Sequence, residues 1–411
     1  MTPCCSRPDH DSLVRFDSGA GMATQRPQEI KALAGARALP PLLLVLYHFS
    51  EGHHYQHVRV IDMFVTKGYL WVEFFFALSG FILTYVYGAR SDLWQWKPYA
   101  TFVKTRLARL YPLHLFMLLF VLYLVVMLRW LAARGGYVSI FDQPYHQALG
   151  FWPFIANLFL VQAWNLFDRL TWNGVSWFVS VEFFLCLIFP VYIAIARGGW
   201  WRGALLIVAG GIGLMVLDYT GKHGLDITFH NGILRGMSNF AVGVGMANLY
   251  RHVRARDGAS LPTWMHSVFQ SAAVLALLWA IYHSGWSHQW RDIYVVPPMM
   301  LLIFTLSFDR GLFSRMFGAK PLQKLGEWSY AIYIGQTAWL LLIRYFEQRW
   351  YPPDSTRVFG IPWPDFIWTL EPLVLVAVCV AWGALLSHFI EEPASKTLRK
   401  WIVPARKTAA A

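Results

Sequence analysis

A histidine, four arginines and two carboxylates stand in or beside stretches otherwise apolar enough to cross a bilayer. His48 closes the run LPPLLLVLYHF, Glu73 lies inside LWVEFFFALSGFI, Glu182 inside WFVSVEFFL and Arg235 inside GILRGMSNF. An ionisable side chain at bilayer depth costs roughly 2.5–3.5 kcal/mol on insertion scales, so each is expected to face the protein interior or a wet cavity. Imidazole titrates nearest neutral pH of all side chains, which suits it to take a proton from an attacking alcohol. A carboxylate beside it could fix its tautomer and stabilise its charged form. Glu182 is the first candidate for that place and Glu73 the second, with Glu51, one helical turn beyond His48, also within reach. Both buried glutamates have a structural use as well, the neutralisation of Arg235 or another interior cation.

The remaining arginines read as anion ligands. Arg37 precedes His48 by eleven residues, so on one continuous helix the two would lie within about 20° of the same azimuth. Arg106 and Arg109 in KTRLARLYP share a helix face at i, i+3. Their planar forks match phosphate oxygens, although such residues also serve as inner-surface anchors. A phosphate-bearing ligand held by Arg37, Arg106 and Arg109 at the cytoplasmic mouth would reach with its other end toward His48. Ser79 and Gly80 in FALSGF suit helix packing, since no strand-turn-helix context makes that serine a nucleophile. EGHHYQH places Glu51, His53, His54 and His57 together, but the spacing matches no zinc motif, and no metal is predicted.

These residues must be positioned by membrane helices. Of the 411 residues 56% are hydrophobic and 14% charged, with a mean hydropathy of +0.40, well away from soluble domains at about 45–50% and 25%. The chain is expected to be all-α, a polytopic bundle of about ten transmembrane helices near 30 to 50, 69 to 88, 110 to 131, 174 to 196, 203 to 218, 229 to 249, 265 to 284, 292 to 308, 327 to 345 and 368 to 390. The stretch 151 to 164 is apolar too. With ten crossings and a cytoplasmic N-terminus, the inner segments hold more than twice as many Lys and Arg as the outer ones. An eleventh crossing at 151 to 164 would erase that asymmetry, so this stretch is expected to lie on the outer face or re-enter, with both termini cytoplasmic. The net charge of +12 then reads as topology rather than nucleic-acid binding. Expected boundaries are a disordered cytoplasmic tail at 1–29, a transmembrane catalytic domain at 30–392 and a basic cytoplasmic tail at 393–411. Cys4 and Cys5 fall in the first tail, Cys186 and Cys379 in spans, which leaves no disulfide framework outside. No Walker loop, dinucleotide fingerprint or metal-protease motif is present.

Six stretches together carry a resemblance. EIKALAGARALPPLLLVLYHF, WVEFFFALSGFILTYVY, KTRLARLYPLH, NGVSWFVSVEFFLCLIFPVY, LGEWSYAIYIGQ and EEPASKTLR resemble, in order, the motifs of the type-three integral-membrane acyltransferases that O-acylate envelope and exported glycans. The resemblance implies acyl-CoA, with acetyl-CoA the expected donor, and a hydroxyl of a glycan or lipid-linked saccharide as acceptor. It implies functional positions for His48, Arg37, Arg106 and Arg109, and places Ser79, Gly80, Trp177, Ser180, Glu182 and Tyr333 on motif positions. Trp177, Ser180, Arg235 and Tyr333 are the expected substrate-binding set, and the bacterial inner membrane the expected location. Two departures stand out. Glu73 replaces the usual Asp, and Gln336 stands where relatives usually carry His, so an amide that cannot shuttle a proton occupies that place and the base is assigned to His48. Direct proton abstraction by His48 and a covalent acyl-His48 intermediate both remain open, the second allowing donor and acceptor to bind from opposite membrane faces. The aromatic clusters SGWSHQW (284 to 290) and GFWPF (150 to 154) offer faces on which sugars could stack. A flippase for lipid-linked glycan and an inactive scaffold of a glycan-assembly complex are the alternatives from other functional classes.

Overall fold

The protein's structure, a computed structural model, describes residues 28–50, 59–135, 147–256, 261–286, 291–350 and 365–402. The tails at 1–27 and 403–411, with Cys4 and Cys5, lie outside the described residues, as do Glu51, His53, His54 and His57. The chain order is α1 (Lys31–Ala36), α2 (Leu39–Ser50), α3 (Arg59–Thr66), α4 (Trp71–Tyr87), α5 (Trp96–Gly135), α6 (Phe151–Leu158), α7 (Trp177–Ala196), α8 (Trp200–Thr220), α9 (Gly232–Arg256), α10 (Thr263–Trp286), α11 (Val296–Leu306), α12 (Leu312–Phe317), α13 (Lys320–Trp350), α14 (Asp365–Leu386) and α15 (Glu392–Ile402). The described residues contain no strand.

Among the described residues seven helical stretches are long and apolar enough to cross a membrane: Lys31–Phe49, Gly68–Tyr87, Trp96–Gly135, Gly174–Ala196, Trp200–Thr220, Thr263–Gly285 and Leu373–Ile402. The chain is a multi-pass membrane protein. On α8 the exposed side chains Trp201, Leu205, Val208, Ile212, Met215 and Tyr219 recur every three or four residues, a stripe turned away from the protein core toward lipid. Three other expected spans fall on α9, α11 and α13. α11 has 11 residues, fewer than the roughly 20 a crossing needs. α9 buries Arg235, Asn239 and Asn248, and α13 buries Ser329, Gln336 and Thr337. α9 packs against α4, α7, α8 and α11, and a helix so enclosed by protein can carry polar side chains that lipid would reject. The apolar stretch 151 to 164 forms α6, with only 8 residues, about 12 Å of helix, before left-handed turns at Leu160 and Asn165.

The first span is not one helix. Pro40 and Pro41 have no N–H to give the carbonyls of Ala36 and Arg37, so α1 ends at Ala36 and α2 begins at Leu39. The azimuth expected for Arg37 and His48 on a continuous helix therefore does not apply. α5 is the opposite case, a helix of 40 residues, about 60 Å long, that places Arg106 and Arg109 on the same rod as the apolar stretch beyond Pro112. Close helix contacts use glycine: a Cβ on Gly80 would strike the main chain of Phe240, and one on Gly243 that of Ala77, so α4 and α9 meet backbone to backbone. A π-helical turn, Ser387–Glu391, joins α14 to α15. α15 has no buried residue; it exposes Leu398 and Trp401 beside Lys396, Arg399 and Lys400, so the start of the expected C-terminal tail is an amphipathic helix.

Candidate active site

His48 lies in the last turn of α2. Its Nδ1 is 3.0 Å from Oε1 of Gln336 on α13. Gln336 is fully buried, and its Nε2 donates to the main-chain oxygen of Tyr333 at 2.9 Å. Tyr47, the neighbour of His48, donates to Asp226 at 3.1 Å and stacks edge-on against Tyr69. The partner of His48 on α13 is thus a neutral amide.

The arginines gather around the other end of the same segment. Arg37, at the C-cap of α1, is within electrostatic range of Arg106, Arg109, Glu29 and Glu182. Glu182 on α7 is buried and sits 3.6 Å from Arg106, while Ser79 on α4 donates its hydroxyl to the same carboxylate. Glu391, in the π-helical turn, is buried within electrostatic range of Arg109. Among the described residues, Oε2 of Glu182, Oε2 of Glu391 and Nε of Arg106 are buried and find no hydrogen-bond partner. Four helical elements, α1, α5, α7 and the π-helical turn, therefore supply three cations and two carboxylates to one cluster, and α4 adds the Ser79 hydroxyl.

Glu73 belongs to a separate knot. It forms a fully buried ion pair with Arg235 at 2.6 Å and accepts from Asn239 on the other oxygen. Arg235 also donates to Ile227 O at 2.8 Å and Tyr69 O at 3.0 Å, and its guanidinium lies over the Trp177 ring, 5.6 Å from the centroid. Every side of Arg235 is engaged by the protein, so its observed use is to tie α4 and α9 to the 220s loop. Ser180 is equally occupied: its hydroxyl donates to Leu160 O at 2.7 Å and accepts from Ala163 N at 3.2 Å, which secures the chain after α6. Tyr333 packs edge-on against Phe75 and Phe178. Of the expected substrate-binding set, Trp177, Ser180 and Arg235 are thus placed in internal contacts.

Six motifs in order, carried by helices that converge on His48 and an arginine cluster, invite comparison with known proteins. The chain matches the family profile described as "Acyltransferase domain" over residues 30–388. It belongs to the type-three acyltransferase family. Acyltransferase MdmB of Streptomyces mycarofaciens is similar to it, 24% identical over 408 residues that cover 91% of this chain and 93% of that protein. No solved structure matches.

In this acyltransferase the motif serine Ser79 serves the arginine cluster through Glu182, and Gly80 is a packing residue. Among the described residues no group of three or more His, Cys, Asp or Glu could hold a metal ion. Of the aromatic clusters, Phe151 and Trp152 are exposed on α6, while 287–290 lie outside the described residues. Asn173 escaped the sequence reading. Buried just before α7, it donates to Ile334 O at 3.0 Å and accepts from Thr337 Oγ1 at 2.7 Å, so it grips α13 on both sides of Gln336. A second polar chain runs behind it: Ser176 donates to Asn157 at 3.1 Å, and Asn157 to Thr171 at 2.8 Å. Composition gave no signal for either, because Asn and Thr in a loop read as ordinary turn residues.

Proposed function

We propose that this acyltransferase transfers an acetyl group from cytoplasmic acetyl-CoA to a hydroxyl of an envelope polysaccharide or lipid-linked saccharide, with His48 as the base. The acceptor oxygen attacks the thioester carbonyl carbon as its proton passes to Nε2 of His48. The C–S bond breaks, and the departing thiolate takes the proton from the imidazolium, which leaves an ester and free CoA. A well-placed general base supplies about 10²- to 10⁴-fold of the rate. The observation that carries the reading is the pairing of His48 with Gln336 at one end of a segment whose other end, Arg37, lies among Arg106, Arg109 and Glu182. Along α13 the ten residues from Gly326, which abuts Ala34 in α1, to Gln336, which meets His48 in α2, span about 15 Å, so the donor must be elongated, with anionic groups at one end and the reactive group at the other.

In this reading Arg37, Arg106 and Arg109 hold the phosphates of CoA, and Glu182 works at that end by orienting Arg106 through their 3.6 Å contact. The buried oxygens of Glu182 and Glu391 that lack partners support a donor site there, since an unsatisfied buried polar atom costs about 1–3 kcal/mol and a ligand amide, amine or hydroxyl would satisfy it. Glu73, Arg235, Trp177 and Ser180 shape the pocket by bracing, and Tyr333 fixes Gln336 through its main-chain oxygen. The full arrangement has ten crossings with both termini in the cytoplasm of a bacterium and the base near the outer face of the inner membrane. The test is label transfer from radiolabelled acetyl-CoA to candidate glycans by the purified chain in lipid bilayers. His48→Ala is expected to abolish transfer, and Arg106→Ala/Arg109→Ala to raise the donor KM. Full transfer by His48→Ala would refute the base, and the absence of transfer to any hydroxyl acceptor would refute the reaction.

A further inference from the structure

The amide of Gln336 has one end that is chemically identified by its neighbour. A main-chain carbonyl only accepts, so the group 2.9 Å from Tyr333 O is the NH2. Oε1 therefore faces His48, and because an amide oxygen also only accepts, the 3.0 Å contact requires a proton on Nδ1. We propose that Gln336 is a positioning residue that holds His48 as the Nδ1–H tautomer, so that the lone pair that receives the acceptor's proton is on Nε2. This deepens the reading of His48 as the base and rests on it.

Three further contacts aim the amide. Asn173 bonds Ile334 O at 3.0 Å and Thr337 Oγ1 at 2.7 Å, on either side of Gln336. Gly335 is packed so closely on the Trp382 indole that a Cβ there would meet the ring. Gln336 itself has no solvent exposure, so water does not compete for Oε1. Imidazole in water prefers its proton on Nε2, the tautomer that would turn a donor rather than a base toward an approaching hydroxyl. A neutral acceptor at Nδ1 reverses that preference without adding a charge to the pocket.

The tautomer can be read independently of turnover. Full-length chain labelled with [15N]histidine is placed in lipid bilayers, and the His48 signals are isolated by subtraction of the His48→Ala spectrum in solid-state NMR. Neutral His48 is expected to show a protonated Nδ1 and a bare Nε2. Gln336→Met, close in length but without the oxygen, is expected to lose that signature and to lower kcat roughly 10- to 100-fold with the donor KM changed by less than about twofold. Gln336→Glu restores an oxygen and is expected to recover both the signature and most of the rate. A wild-type spectrum with the proton on Nε2 overturns the proposal, as does a folded Gln336→Met variant that keeps signature and rate. If the Nδ1–H form is seen while His48→Ala transfers at full rate, the base assignment is what fails, and the role of Gln336 in transfer falls with it.

Discussion

Glu73 is the residue on which a catalytic and a structural reading diverge most sharply, and removal of its charge separates them. The Glu73–Arg235 pair has no exposure on either side, and among the described residues the Arg235 guanidinium also donates to two main-chain oxygens and lies over the face of Trp177. Glu73→Ala leaves a buried guanidinium without its contacting counter-charge, with Asp226 acting only from a distance, which costs about 3–5 kcal/mol. Unfolding entropy near 2.1 cal/mol/K per residue, taken over the whole chain of 411 residues, converts that loss into a fall of roughly 3–6 °C in Tm. Glu73→Leu/Arg235→Met, which removes both charges and keeps apolar volume, is expected to recover most of the stability, with a coupling of about 2–3 kcal/mol in the double-mutant cycle. Thermal unfolding of the purified variants gives these values, and acyl transfer normalised to folded protein gives the second arm. Transfer by the folded double variant should stay within about tenfold of wild type, far from the 10²- to 10⁴-fold expected when a base is removed. A loss on the scale of His48→Ala with Tm unchanged would show that Glu73 acts on the reacting atoms and refute the bracing argument.

Glu182→Gln should move the donor KM several-fold more than kcat, because the charge it removes lies beside Arg106 rather than His48; initial rates across donor concentrations report this, and a fall in kcat alone of about 100-fold or more would return Glu182 to the base. Asn173→Ala strips a donor and an acceptor from α13 and should cost about 1–3 kcal/mol in thermal unfolding together with a reduced transfer rate. Gly243→Val forces a side chain into the main chain of Ala77, and a destabilisation of about 1–3 kcal/mol or more, seen as a lowered Tm, is expected.

Much of the fold was legible because lipid solubility is written in composition. Each expected span contains α-helix, and Glu73, Glu182 and Arg235 within them are buried, as the cost of exposing them to lipid demands. The i, i+3 spacing of Arg106 and Arg109 placed them on one face because α5 is continuous through both. Partner choice was not legible. Glu73 and Glu182 look alike in sequence, each a single carboxylate among phenylalanines, yet one meets Arg235 and the other Arg106. That sorting depends on which helices touch. The pairing of His48 with Gln336 spans 288 positions along the chain, and no local pattern encodes it. The break after Ala36 is a different case, since Pro40 and Pro41 signalled it through the N–H groups they lack.

That break assigns an unexpected duty to α13. Because the chain bends between Arg37 and Leu39, its own backbone does not set how far the arginine end stands from the imidazole. α13 touches both halves: Gly326 abuts the main chain of Ala34 in α1, and ten residues later Gln336 meets His48 in α2. About 15 Å of helix between those two contacts sets how far the arginine cluster stands from the imidazole. One residue inserted between Gly326 and Gln336 would swing the amide about 100° away from the ring, and neither end of the elbow could follow it.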